Sequence, residues 1–245
     1  MRSNLPVINV YKKKSIKSKL VVTQLLYGDS FKIIKKTGSW IKIKNNLDSY
    51  KGFIKKRNFP PNKKNTHKVY NLFANLYTKP NVKFKIKKKI SFGSKIRVKE
   101  KKNKFYKFDN YWIKKNDLKT IKYKTNDIFK DLNKFVGTKY TWGGKCFSGV
   151  DCSALVQIFI NFNNKFCPRD SKDQAIYFKK KIKLKNIRKN DLIFWKGHVA
   201  VCVSKKNLIH AYGPLKKVVV MTIKNTINRI YKTANLKVIG IRRIS

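Results

Sequence analysis

Acidic side chains are scarce in this chain. Only 11 Asp and Glu stand against 61 Lys and Arg in 245 residues, for a formal net charge of +50. Long apolar runs are missing as well: no window approaches the roughly 18 uninterrupted apolar residues of a transmembrane helix, so membrane insertion is not expected. The opening MRSNLPVINVYKKKSIKSK has neither an apolar core of about 7–15 residues nor a small-residue cleavage site, which makes a cytoplasmic protein the expectation. Cysteine is limited to Cys146, Cys152, Cys167 and Cys202, and none forms a CxxC pair. That spacing argues against a zinc ribbon or a thioredoxin-like centre, and the missing export signal argues against disulfides. A metal cluster drawing on His198 and His210 is the weaker alternative; no metal and no cofactor are expected.

Arginine is scarce too, at eight of the 61 basic residues. Arginine grips phosphate bidentately and reads guanine edges, so its scarcity weakens a specific nucleic-acid role. Lys, Asn and Ile share A/T-rich codons, and base composition alone enriches all three. The lysines also alternate with apolar residues, as in FKIIKK and WIKIK, the pattern of strands with one solvated face. The charge therefore reads mainly as compositional background. A non-enzymatic basic module that binds nucleic acid or another anionic polymer is the alternative reading.

Against these absences, 42% of residues are hydrophobic and 13% aromatic, spread along the whole length, which excludes wholesale disorder. The first 120 residues carry a weak internal repeat. Tyr27-Gly28-Asp29-Ser30-Phe31-Lys32-Ile33 resembles Phe92-Gly93-Ser94-Lys95-Ile96-Arg97-Val98, and Trp40-Ile41-Lys42-Ile43 resembles Phe105-Tyr106-Lys107-Phe108. Gly52-Phe53-Ile54-Lys55-Lys56 matches Tyr111-Trp112-Ile113-Lys114-Lys115, and Val10-Tyr11 matches Leu76-Tyr77. Each copy alternates apolar and polar residues between short turns, which predicts a small antiparallel β-barrel. Phe59–Asn65, polar and Pro-containing, suits a linker. This order of motifs resembles bacterial SH3-like domains, giving two expected domains over residues 1–60 and 66–122.

The character changes near residue 125. Six of the eleven acidic residues and all four cysteines lie between Asp127 and Cys202. Helical spacing over Asp127–Val136, closed by Gly137, predicts a helix, and Cys152–Asn161 predicts a second. Strand-like runs follow at Leu192–Trp195, Val199–Val203, Leu208–Ala211, Val218–Ile223 and Val238–Ile244. Helices followed by strands predict an α+β domain with an antiparallel sheet.

A catalytic thiol needs help to ionise, a base to take its proton and a group to orient that base. Cys152 stands at a predicted helix N-terminus, after the Gly149-Val150-Asp151 turn, where free N–H groups and the helix dipole favour an anion. A cysteine in such a place is more often a packing residue, and Asp151 serves equally as a helix cap. What shifts the balance is company. His198 opens one predicted strand and His210 lies twelve residues on in the next, so a hairpin would aim both imidazoles at one site. The third histidine, His67, lies in the linker region.

Gly137-Thr138-Lys139-Tyr140-Thr141-Trp142-Gly143-Gly144 and Asp151-Cys152-Ser153-Ala154-Leu155-Val156-Gln157 resemble the signature blocks of NlpC/P60 cysteine peptidases. Asn190-Asp191-Leu192-Ile193-Phe194-Trp195, Gly197-His198-Val199-Ala200-Val201 and Leu208-Ile209-His210-Ala211 continue that family's order, and tandem SH3-like domains are a common front end in it. The resemblance implies a papain-like domain over residues 125–245 with a Cys152-His198-His210 triad. It places Tyr140 in the site, and Asp151 and Ser153 against the free amino end of a peptide substrate. It also implies hydrolysis of peptidoglycan-derived peptides between γ-linked D-glutamate and a diamino acid, with soluble muropeptides in recycling the better substrate. Ala154 stands where the family usually has Gly, Asn190 replaces a Gly before Asp191, and Cys202 takes an ordinarily apolar or aromatic position.

Overall fold

Period-two alternation in the first half of the chain builds two sheets of the same strand order. The computed structural model describes residues 1–17 and 20–244. The first sheet holds β1 (Val7–Tyr11), β2 (Val21–Leu26), β3 (Phe31–Thr37), β4 (Trp40–Asn45) and β5 (Lys51–Lys55), arranged β2-β1-β5-β4-β3. Then come β6 (His67–Val69), β7 (Phe73–Tyr77), β8 (Lys85–Ser91), β9 (Lys95–Ile96), β10 (Glu100–Lys102), β11 (Phe105–Phe108), β12 (Tyr111–Lys114) and β13 (Leu118–Thr120). Five of them form the second sheet, β10-β11-β12-β7-β8, which read from its other edge repeats the first order strand for strand. A small third sheet runs β13-β6-β9. The weak sequence repeat is thus a repeat of topology.

Alternation also decides the cores. Ile8, Val10, Leu25, Phe31, Ile41, Ile43 and Ile54 fill the first, where Phe59, from the expected linker, packs edge-on against Phe31. Val69, Leu76, Ile90, Ile96, Phe108, Ile113 and Leu118 fill the second. Tyr27, at the end of β2, crosses into that second core and its hydroxyl donates to Asp109, a carboxylate that Arg2 grips at 2.7 and 2.9 Å. The next residue, Gly28, sits at φ +81°, and a Cβ there would lie 1.9 Å from the Lys95 carbonyl oxygen, so only glycine fits.

Contact clustering divides the chain into residues 1–123 with 142–147 and residues 124–141 with 148–245. In the first unit, residues 142–147, containing β14 (Lys145–Cys146), lie against the front sheets. Lys145 N donates to Gln24 Oε1 at 2.8 Å and Phe147 N to Ser91 Oγ at 3.1 Å.

The second unit contains β15 (Gly149–Val150), α1 (Cys152–Phe162), α2 (Ser171–Tyr177), β16 (Lys180–Lys181), β17 (Asp191–Trp195), β18 (His198–Cys202), β19 (Asn207–Tyr212), β20 (Lys217–Thr222), α3 (Ile223–Ala234) and β21 (Gly240–Arg243). Its sheet, β16-β21-β17-β18-β19-β20, is antiparallel throughout. Mixed α and β structure dominated by sheet is what the succession of helix and strand patterns predicts. All four cysteines are buried and none is in a disulfide. Among the described residues, no helix is long and apolar enough to cross a membrane.

Two local readings differ. The helix expected over Asp127–Val136 shrinks to a 3-10 turn at Leu132–Phe135. Phe129 N donates to the Asp127 carboxylate at 3.1 Å and Thr125 Oγ1 to the Asp127 carbonyl at 2.7 Å, local side-chain bonds that compete with a helical ladder. Conversely, α3 is absent from the sequence reading, because its isoleucines resemble a strand extension. Ile223, Ile227 and Ile230 recur at helical spacing and pack on the sheet, and Thr222 caps the first turn.

Candidate active site

The site begins with the turn before α1. A Cβ on Gly149 would lie 2.1 Å from Thr141 Oγ1, so glycine lets the chain pass there. Asp151 takes the N-cap position of α1, accepting from Ala154 N at 2.8 Å, and thereby sets Cys152 at the first helical residue. The backbone N–H groups of Val199 and Ser153 both favour the Cys152 thiolate. Val199 follows His198, so the start of β18 acts on the thiol.

β17 and β18 form a hairpin closed by Gly197 at φ +76°, and β18 pairs antiparallel with β19 through Val201 opposite Ile209 and Cys202 opposite Leu208. That register brings the two imidazoles together: His198 Nε2 lies 2.8 Å from His210 Nδ1. Tyr212 stacks on His210 with ring centres 4.7 Å apart and planes 11° from parallel, which fixes the orientation of the ring. Tyr140 packs its ring over Gly213, 3.6 Å from where a Cβ would stand, and its backbone N donates to the Lys216 carbonyl at 2.8 Å. Its phenol is held protonated by burial first, and then by Cys152 and Asp151.

His198 and His210 are thus paired, and Tyr140 lies near enough to Cys152 and Asp151 to feel their charge. Asp151 and Ser153 flank Cys152 but are bound inward. Arg169, to which the sequence reading gives no role, donates Nη1 to Asp151 Oδ1 at 3.0 Å and to Ser153 Oγ at 2.9 Å, and Nη2 to Asp151 Oδ2 at 2.6 Å. Gln174 Nε2 donates to the carbonyls of Ser153 and Pro168, both at 2.9 Å, tying α2 to the same turn. The available signal was an arginine in a lysine-dominated chain, close in sequence to a lone Asp at a helix start. His67 lies elsewhere, in β6, bonded through Nδ1 to Thr66 Oγ1 at 2.9 Å.

Burial dominates the electrostatics. It pushes the Cys152 thiol up to about 12, with the Asp151 carboxylate adding to the rise; the Val199 N–H, Arg169 and the Ser153 N–H oppose it. Burial likewise lowers His198 to about 4, and lowers His210 to about 3 with His198 adding to the fall. At neutral pH the resting site holds a neutral thiol beside neutral imidazoles. Charge separates only by moving the thiol proton to an imidazole, which leaves a thiolate with backbone donors around it. Such a group can attack a carbonyl carbon and return the proton to a leaving amine.

The two imidazoles also set how stability depends on pH. Their folded pKa values lie below the unfolded value of about 6.5, so below that pH the unfolded chain binds more protons and stability falls as pH falls. Each histidine costs about 1.4 kcal/mol per pH unit between about 6.5 and its folded value, or about 3–4 kcal/mol for the pair from pH 6.5 to 5. Urea unfolding across that range is expected to show the slope, and His198→Gln/His210→Gln to flatten it.

The NlpC/P60 family model matches residues 137–237. The chain is 26% identical over 224 residues to a gamma-D-glutamyl-L-lysine dipeptidyl-peptidase of Bacillus cereus, across 77% of this chain and 66% of that protein. It is 31% identical over 85 residues to dipeptidyl-peptidase 6 of Lysinibacillus sphaericus, across 35% of this chain and 31% of the relative. The chain thus spans less than two thirds of either relative's length. A crystal structure of an NlpC/P60 family protein from Bacillus cereus superposes with a TM-score of 0.84 at 19% identity, covering 99% of this chain and 98% of the other, which establishes a shared fold. With the thiol, the paired imidazoles and the tyrosine all falling in residues 137–237, the chain carries an NlpC/P60 family domain over those residues.

Proposed function

We propose that the protein is a cysteine peptidase acting on peptidoglycan-derived peptides, and that it cleaves the bond between γ-linked D-glutamate and a diamino acid in L-Ala-γ-D-Glu-diaminopimelate-type substrates. The observation that carries this reading is the 2.8 Å contact from His198 Nε2 to His210 Nδ1, on a strand whose next N–H favours the Cys152 thiolate.

In this reading Cys152 is the nucleophile, His198 the base and His210 the group that orients it. As the sulfur bonds to the glutamyl γ-carbonyl carbon, the thiol proton passes to His198. The oxyanion meets N–H groups at the start of α1 and the protonated Tyr140 hydroxyl. Collapse breaks the C–N bond, and the departing amine takes the proton from His198. Water, deprotonated by the same imidazole, then hydrolyses the thioester. Asp151 and Ser153 hold the Cys152 turn through Arg169, so a substrate ammonium that reaches Asp151 has to share it with that guanidinium. The two topologically repeated front sheets are read as SH3-like domains over residues 1–60 and 66–122, with the peptidase domain over 125–245. A relative named as a gamma-D-glutamyl-L-lysine dipeptidyl-peptidase supports hydrolysis of peptidoglycan peptides in general, and the net positive charge favours substrates bearing several carboxylates.

Incubation with L-Ala-γ-D-Glu-diaminopimelate, followed by mass spectrometry, is expected to yield L-Ala-γ-D-Glu and free diaminopimelate. An intact tripeptide after exposure to the wild-type protein, or cleavage at another bond, rejects the assignment.

A further inference from the structure

His210 has a second nitrogen, and its neighbour is a methionine. His210 Nε2 points at Met221 Sδ, 3.4 Å away, while Nδ1 faces His198. β20 supplies this contact through register: Met221 lies opposite Leu208 and Val219 opposite His210, so Met221 is the diagonal neighbour of His210, within reach of a long flexible side chain. His210 is 1% exposed, so water is a poor substitute partner.

We propose that Met221 is a positioning residue that sets the tautomer of His210, and through it the tautomer of His198. A thioether sulfur accepts hydrogen bonds and has no proton to give. Two neutral arrangements fit the imidazole pair. In one, His198 Nε2–H donates to His210 Nδ1, and His210 carries its proton on Nε2, directed at the sulfur. In the other, His210 Nδ1–H donates to His198 Nε2, which leaves His210 Nε2 bare against a sulfur that offers only lone pairs. Burial makes that second arrangement costly, because a buried acceptor without a donor goes unsatisfied. The methionine therefore selects the first.

The consequence reaches the thiol. With its proton on Nε2, His198 keeps Nδ1 unprotonated, and only an unprotonated nitrogen can receive the proton of Cys152. A ring in the other tautomer holds a proton where the base is needed. Tyr212, stacked on His210, fixes the plane of the ring, while Met221 fixes which nitrogen bears hydrogen. The effect on turnover rests on the peptidase reading above; the tautomer is a property of the resting protein and does not.

Imidazole nitrogen NMR at neutral pH on the 15N-histidine-labelled full chain tests the assignment. The expected spectrum shows His210 protonated on Nε2 and His198 on Nε2. Met221→Leu, which keeps the bulk and removes the acceptor, is expected to mix the two tautomers and lower kcat about 5- to 10-fold with KM unchanged. Met221→Gln, whose amide oxygen accepts, is expected to restore both spectrum and kcat. A wild-type His210 protonated on Nδ1 overturns the proposal even if neither variant folds. So does a Met221→Leu protein with wild-type spectrum and kcat. A protein that shows the expected tautomers and their response to Met221→Leu, yet cleaves no peptide, rejects the peptidase reading and leaves the role of Met221 standing.

Discussion

Replacing Cys152 with alanine is expected to lower kcat/KM on L-Ala-γ-D-Glu-diaminopimelate by about 10⁴- to 10⁶-fold, the scale seen when the nucleophile of a triad is removed. The loss should lie in kcat. The thiol is 6% exposed at the first turn of a buried helix, and alanine fits that turn with little change in volume, so unfolding free energy should shift by about 1 kcal/mol or less. His198→Ala is expected to match this loss, because the thiol is buried, held near a pKa of about 12, and without the imidazole has nowhere to put its proton. Serine at position 152 does not rescue, since an alkoxide is harder still to form in the same dry pocket. Single-turnover kinetics with calorimetric substrate binding separates these outcomes. Tight binding without chemistry is expected, and a Cys152→Ala protein that cleaves at the wild-type rate removes the thiol from the mechanism.

Removing the Arg169 guanidinium should unfold more of the protein than any other single change near the site. Arg169→Leu leaves the Asp151 carboxylate, 6% exposed, without its counter-charge and strips a donor from Ser153 Oγ. Breaking a buried ion pair from one side costs about 3–5 kcal/mol, mostly for the charge left behind. Arg169→Lys is expected to recover only part of this, because two guanidinium nitrogens bond three separate oxygens and an ammonium cannot span them. Asp151→Asn/Arg169→Leu removes both charges and should be closer to wild type than Arg169→Leu alone. Urea unfolding of the wild type, Arg169→Leu, Asp151→Asn and the double variant gives the coupling directly. Equal stability of Arg169→Leu and wild type contradicts the ion pair's structural weight.

How much of this was readable in the chain depended on how local the cause was. The helix at Cys152–Phe162 was legible because its cap, Asp151, and its apolar residues are adjacent in sequence. Asn190, in place of a turn glycine, adopts φ +71°, which asparagine accepts more readily than most residues. The front repeat was legible through alternation, and both copies follow one strand order. Where side chains bond across the fold, the reading failed. Asn190 Nδ2 and Lys189 bind the Asp127 carboxylate from 63 and 62 residues away, and the segment they hold turns where its pattern suggested a helix.

The chain by itself determined which residue types were available for chemistry, their order, and the helix and strands that carry Cys152, His198 and His210, because periodicity and capping act over a few residues. Only the tertiary structure decided that the imidazoles meet at 2.8 Å, that Arg169 holds Asp151 and Ser153 from a loop 18 and 16 residues away, and that Met221 faces the last open nitrogen. Those three facts follow from strand register and from burial. Register places distant residues side by side, and burial removes the water that would otherwise satisfy them, so each polar atom must find a partner that no local pattern names.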